Sequence, residues 1–258
     1  MSWTLYTFAM SHYSEKIRWT LDASNIDYRE VRMTPVFHIL PALLMGKRGK
    51  TTLPVVKTPQ GSLQDSSRIL LWLEKTRAPF ALIPKALSQD IHAVERQFDA
   101  IGKDVARALY AASFGQGDAH ILKLWTDDAT PTQAVFVRQA YPFIRWAFRR
   151  KLNITQRGAA RAHQRITEVI DWLEGQLSDG RTYLVGQQFT AADITAASLL
   201  APIACPRQHP VYGDPVYQQT MVDATAPWRD RRALQWVRTM YDLHRGQFQN
   251  DGKARQAA

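Results

Sequence analysis

Residues 51 to 76, TTLPVVKTPQGSLQDSSRILLWLEKT, leave few choices of local structure. Pro54 cannot donate to a strand ladder, so it belongs at the entrance of the β-branched run that follows rather than inside it. TPQG is a turn cluster, SLQD resumes as a short strand, and a hairpin is the economical reading. Ile69, Leu70 and Leu73 then share one face of a helix. Upstream, WTLYTF reads as a strand, SEKIRWTLDAS as a helix with Ile17 and Leu21 one turn apart, and DYREVRM as a second strand. VFHILPALLM is a short helical or irregular piece interrupted by Pro41. The first eighty residues therefore run β-α-β-α-β-β-α.

Residues 78 to 88, APFALIPKALS, lose both periodicities and mark a connection between domains. Beyond them the pattern is helical. Ser88 is expected to cap a helix to about Ser113, with Phe98, Ile101, Val105 and Leu109 at helical spacing. TPTQ at 130 to 133 is a capping box with Pro131 in the tolerated first position, and its helix runs to roughly Leu152. Another spans about Gln156 to Leu177. In FTAADI, Thr190 and Asp193 form a capping-box variant, with Phe189 and Ile194 placed as a hydrophobic staple. The expected organisation is an α+β domain over residues 1–79, an all-helical domain over 88–245, and a polar, flexible tail over 246–258.

The single cysteine, Cys205, excludes an internal disulfide and a multi-cysteine metal site, and its apolar neighbours imply a packed thiol. No metal is expected. No run reaches the ~18–20 apolar residues of a membrane span, and the N-terminus lacks a signal-peptide pattern, so a cytoplasmic protein is expected with no membrane partner. The net charge of +10 raises the question of nucleic acid. Residues 1–83 and 84–258 each contribute +5, and the basic span Arg138 to Arg165 holds no acidic residue. Its arginines alternate with Ile144, Trp146, Phe148 and Leu152, as on a solvated face of an amphipathic helix, and nucleic acid is not expected as a partner.

MSHYSEKIRW, residues 10 to 19, sets Ser11, His12, Tyr13 and Ser14 at a helix entrance. One reading is ordinary capping. The other is an anion site made of a hydroxyl, free N–H groups and the helix dipole. Residues alone leave both open.

In order along the chain, SHYSEKIRW, TLPVV, SLQDSSRILLWLE and YLVGQQFTAADI resemble the motifs of the soluble glutathione transferase superfamily. The resemblance covers most of the chain. It implies a thioredoxin-like N-terminal domain (βαβαββα, with a cis-proline) followed by an all-α helical-bundle domain. It also implies conjugation of reduced glutathione, as co-substrate, to small hydrophobic electrophiles by a homodimer with no tightly bound cofactor. Alternatives within the same fold are a non-catalytic binding or regulatory protein and a glutathione-dependent isomerase or dehalogenase.

By the same resemblance, Leu53 and Pro54 form the cis peptide that presents backbone to the glutathione cysteinyl unit. Asp65 and Ser66 meet its γ-glutamyl end, Lys50 its glycyl carboxylate, and Tyr13 lines the thiol site. Ser11 falls on the serine-type position and donates to the glutathione sulfur, with Ser14 as second choice; Thr7, not Tyr6, occupies the register of the tyrosine-type members. His12 replaces the family's usual proline, and Asp65 a longer Glu or Gln. Tyr110 and Phe114 lie where the electrophile site is expected, but an aromatic i, i+4 pair is also ordinary core, and they are not counted among the site residues.

Overall fold

The computed structural model describes residues 3–46 and 49–246. Four strands form one mixed sheet: β1 (Trp3–Thr7), β2 (Tyr28–Arg32), β3 (Val55–Thr58) and β4 (Gly61–Gln64), in the order β2-β1-β3-β4. β1 and β2 are parallel, joined across α1 (His12–Ala23). β3 runs antiparallel to both β1 and β4. Seven-residue α2 (Ile39–Met45) and α3 (Ser66–Thr76) complete the N-terminal thioredoxin-like domain. The register decides what this domain presents. Tyr6 pairs with Val55 and Val55 with Gln64, so the end of β1, the start of β3 and the end of β4 meet at one edge.

The remainder is mostly helical: α4 (Ser88–Ser113), α5 (Asp118–Thr126), α6 (Pro131–Lys151), α7 (Gln156–Gln176), α8 (Ala191–Ala204), α9 (Pro215–Thr220), α10 (Val222–Thr225) and α11 (Arg232–Met240). All fourteen residues of α8 are buried, the signature of a central helix that is apolar all round. Its start is held as FTAADI implies. Asp193 accepts the amides of Thr190 and Leu184, each at 2.8 Å, and so ties the preceding loop to the helix it caps. Burial pushes the Asp193 carboxyl up to about 6 despite those donors.

Two helix starts behave differently. Thr130 and Gln133 form the reciprocal capping box. Ser88 is not the cap of α4; a short 3-10 turn, Lys85–Leu87, precedes it, Leu87 takes the cap position without a side-chain bond, and the Ser88 hydroxyl donates to Glu74 at 2.5 Å. The basic span also differs from expectation. Ile144 is buried, but Trp146 is 52% and Phe143 68% exposed, stacked at 5.6 Å, with the Arg150 guanidinium 5.3 Å over the Trp146 ring. The outer face of α6 is thus aromatic as well as basic, because its arginines flank an apolar stripe instead of facing away from one. The expected tail lies, beyond Gly246, outside the described residues.

The two halves are joined by buried charge. Lys16 of α1, fully buried, reaches Glu95 at 2.7 Å and Asp99 at 3.1 Å on α4, and Ser67 of α3 donates to the same Asp99. Glu15, one residue earlier, meets Arg18 at 2.5 Å and Arg245 at 2.8 Å. Burial opposes its charge, but Arg245 and Arg18 hold its carboxyl down at about 2. An alternating helix face cannot produce this pattern by hydrophobicity; consecutive positions on α1 are buried because both sides of the helix are covered.

Candidate functional site

The β1–α1 loop is fixed from three directions. Arg18 donates to the Phe8 carbonyl at 3.2 Å, Ser11 N–H donates to the same carbonyl at 3.1 Å, and the Tyr212 hydroxyl donates to the Met10 carbonyl at 2.5 Å. Ser11 follows as the N-cap of α1, its Oγ accepting the Ser14 amide at 3.2 Å. A hydroxyl has one proton to give. Because Ser11 uses Oγ as an acceptor here, that proton remains free for a group in the cavity beside it, which Ser11 lines. The Ser14 hydroxyl, in contrast, is fully buried, has no hydrogen-bond partner among the described residues and does not line the cavity.

The hairpin brings the other candidate residues to the same edge, although Lys50, Leu53, Pro54, Asp65 and Ser66 do not line that cavity. The Leu53-Pro54 peptide is cis, and the Asp65 amide donates to the Pro54 carbonyl at 3.2 Å. Asp65 caps α3 through its own side chain, accepting Arg68 N–H at 3.3 Å, with φ at +91°. A non-glycine residue in that region is sterically costly, and such strain gathers where the chain must present a group in one orientation. Ser66 is 5% exposed at the first helical position. Lys50 is exposed, with its carbonyl held by Gln64 at 3.2 Å.

The cavity itself holds about 250 Å³ between the two halves and is mostly apolar. From the N-terminal domain come Phe8, Met10, Ser11, His12 and Tyr13; from the helical part, among others, Tyr110, Trp125, Phe148 and Tyr212. Of the i, i+4 pair, Tyr110 lines the cavity and Phe114 stacks behind it at 5.2 Å. Tyr13 lies against Gly102, where a Cβ would overlap its hydroxyl; that hydroxyl donates to the Asp99 carbonyl at 2.9 Å. Burial raises the Tyr13 phenol far above its ordinary range, so it stays protonated. Thr7 is fully buried and donates to Glu30 at 2.6 Å, turned away from the cavity.

His12 now has a physical description. It occupies the first helical position of α1, where a proline is tolerated because the amide there has no intrahelical acceptor. Burial lowers its imidazole to about 4, so it is neutral at pH 7 and adds no positive charge beside Ser11. Tyr212, the clamp on Met10, comes from 202 residues downstream. Sequence periodicity carries no signal for such a contact. No described group of His, Cys, Asp and Glu is arranged to hold a metal ion, and no described helix is long and apolar enough to cross a membrane.

Comparison with known proteins bears on the family and the fold. Residues 5–80 match the family model for the glutathione S-transferase N-terminal domain, and residues 156–212 that for the glutathione S-transferase C-terminal domain, together just over half of the chain. No curated protein matches the sequence. Among solved structures, a glutathione S-transferase of Methylobacillus flagellatus with glutathione bound superposes with a TM-score of 0.56 at 18% identity, covering 92% of this chain and 98% of that one. A glutathione S-transferase of Ceriporiopsis subvermispora in complex with glutathione gives 0.63 at 16%, covering 95% and 98%. The β-etherase LigF of Sphingobium sp. strain SYK-6 gives 0.60 at 17%, covering 92% and 98%. At these identities the likeness is one of fold.

Proposed function

The chain belongs to the glutathione S-transferase superfamily, and on that premise we propose that it binds reduced glutathione along the Ser11, Leu53-Pro54 and Asp65-Ser66 edge and conjugates it to small hydrophobic electrophiles. The observation that carries this reading is the Ser11 hydroxyl at a cavity wall, accepting the Ser14 amide and donating to no described residue, at the N-terminus of a twelve-residue helix.

Ser11 acts as a donor, not a nucleophile. Its O–H and the positive end of α1 stabilise the sulfur as thiolate, lowering a thiol pKa of about 8.5 by ~2 units, within reach of one charge-assisted hydrogen bond and a helix terminus. The released proton leaves to water. The thiolate then attacks the electrophilic carbon, forming the C–S bond while the leaving group departs or the adjacent π bond takes the electron pair. Leu53 contributes backbone groups to the cysteinyl unit, the α3 terminus and Ser66 meet the γ-glutamyl carboxylate, Asp65 answers its ammonium, and Lys50 reaches the glycyl carboxylate. Tyr13 packs at the thiol. Ser14 contributes its amide by keeping Ser11 in position.

The aromatic lining of the cavity supports an apolar second substrate. Glutathione-dependent isomerisation, dehalogenation or ether cleavage begins from the same thiolate, and the β-etherase among the structural neighbours favours it as a second reading. The exposed Phe143 and Trp146 on α6 support a homodimer. A cytoplasmic location fits an enzyme using reduced glutathione. Calorimetric titration with glutathione, followed by a conjugation screen of aryl halides, epoxides and enones, tests the proposal; no binding and no turnover would refute it.

A further inference from the structure

A second cavity, of about 450 Å³, opens on the far side of the helical domain and shares no lining residue with the first. The two are back to back: Pro202, Tyr217 and Met221 face the candidate active site, whereas Ile203 and Val222, their chain neighbours, face the second cavity. Cys205 is packed against the core on one side, as its apolar neighbours imply, but is not sealed off. It ends α8 in a left-handed conformation, half-buried, and lines this second cavity.

Two guanidinium groups converge there. Arg238 spends two donors on the carbonyls of Ala204 and Arg229, each at 3.1 Å, and Arg229 spends one on the Val222 carbonyl at 2.8 Å. Among the described residues neither pairs with a carboxylate, and none of those lining the cavity is acidic. Both charges reach the Cys205 thiol and pull against the burial that raises it to about 11. The buried arginines Arg18 and Arg245 meet acids, whereas half-buried Arg238 spends its bonds on carbonyls. Each guanidinium retains donors in the planar fork that suits carboxylate and phosphate oxygens. Gln218 and Gln219 add amide groups, and Ile203, Pro215 and Val222 an apolar wall.

We propose that this cavity is a second binding site, separate from the glutathione site, for a small organic oxyanion: a phosphate monoester or carboxylate whose head sits on Arg229 and Arg238 and whose body lies on the apolar wall. Two unneutralised guanidinium groups favour a dianionic head over a monoanionic one. The volume admits a ligand of ordinary metabolite size.

Cys205, the sole cysteine of the chain, reports on this cavity alone. Its alkylation by N-ethylmaleimide, followed by intact mass, is to be timed in the full chain with phenyl phosphate, benzoate or benzyl alcohol. Protection by phenyl phosphate or benzoate but not by benzyl alcohol is expected, and the tighter of the two identifies the head group. Arg229→Gln should weaken the protection ~10-fold, the scale of one charged hydrogen bond. Because Arg229 is exposed and makes one backbone contact where Arg238 makes two, this variant is the smaller risk to folding. Saturating glutathione should leave protection intact. Equal protection by benzyl alcohol, an unchanged Arg229→Gln variant, no protection at all, or loss of protection with glutathione would each overturn the proposal.

Discussion

The Ser11 hydroxyl accepts the backbone amide of Ser14 at 3.2 Å, and this bond fixes what Ser11 has left to offer. Capping and thiol stabilisation use different parts of one hydroxyl: the lone pair serves the helix, the proton serves the cavity. The two roles can be separated by substitution. Aspartate caps as well as serine but has no proton to donate at neutral pH. Ser11→Asp should therefore keep the urea midpoint within a few tenths of a kcal/mol of the parent and abolish conjugation. Ser11→Ala should lose both about 1 kcal/mol of stability and ~10²-fold in kcat, the cost of one directed donor. Equal stability loss in both variants would mean that the cap is not what holds α1.

Tyr212→Phe tests the clamp on the loop ahead of Ser11. The ring keeps its stack on His209 at 3.9 Å, while the bond to the Met10 carbonyl is lost. We expect a stability loss of about 1–3 kcal/mol, as for stranding an acceptor out of water, and a larger fall in kcat than change in KM for glutathione. A change in KM alone would assign Tyr212 to binding.

Lys16→Met leaves buried Glu95 with His92 alone, at 2.8 Å, and half-buried Asp99 without its cation. A loss of about 3–5 kcal/mol is expected from chemical denaturation, the usual result of breaking one side of a buried pair. Adding Glu95→Gln should recover part of it. No recovery would show that Lys16 acts by its packing.

Acid sensitivity follows from His12 and Glu15. The folded pKa of His12, about 4, lies below its ordinary 6.5, so between these values the unfolded chain binds more protons and stability falls as pH falls. Glu15, held at about 2 against an ordinary 4.5, adds a second loss as pH drops below 4.5. Urea midpoints should decline below pH 6.5, where His38, lowered by burial to about 4, and His209, to about 3, contribute beside His12, and His12→Gln should make the limb between 6.5 and 4 shallower without removing it. An unchanged limb in that variant would assign it to other groups.

The sequence made the scaffold legible wherever one residue type had one job. Pro54 could only enter a strand, Thr130-Pro131 could only begin a helix, and Thr190 with Asp193 could only cap one. Ser88 failed that test because a nearer acceptor, Glu74, competes for its hydroxyl. The α5 helix carries no cap signal in the sequence, and no side chain caps it. For the site, the cap position of Ser11 was legible because it is local to β1 and α1, whereas its role at the sulfur rests on the family resemblance. Tyr212, Lys16 and the aromatic outer face of α6 were not, since each depends on which distant surface the helix meets.

The most direct measurement is the pH titration of thiolate absorbance for glutathione bound to the parent protein and to Ser11→Ala. The account predicts an apparent pKa ~2 units below that of free glutathione in the parent, returning most of the way in the variant. The same depressed pKa in both proteins would contradict the role assigned to Ser11.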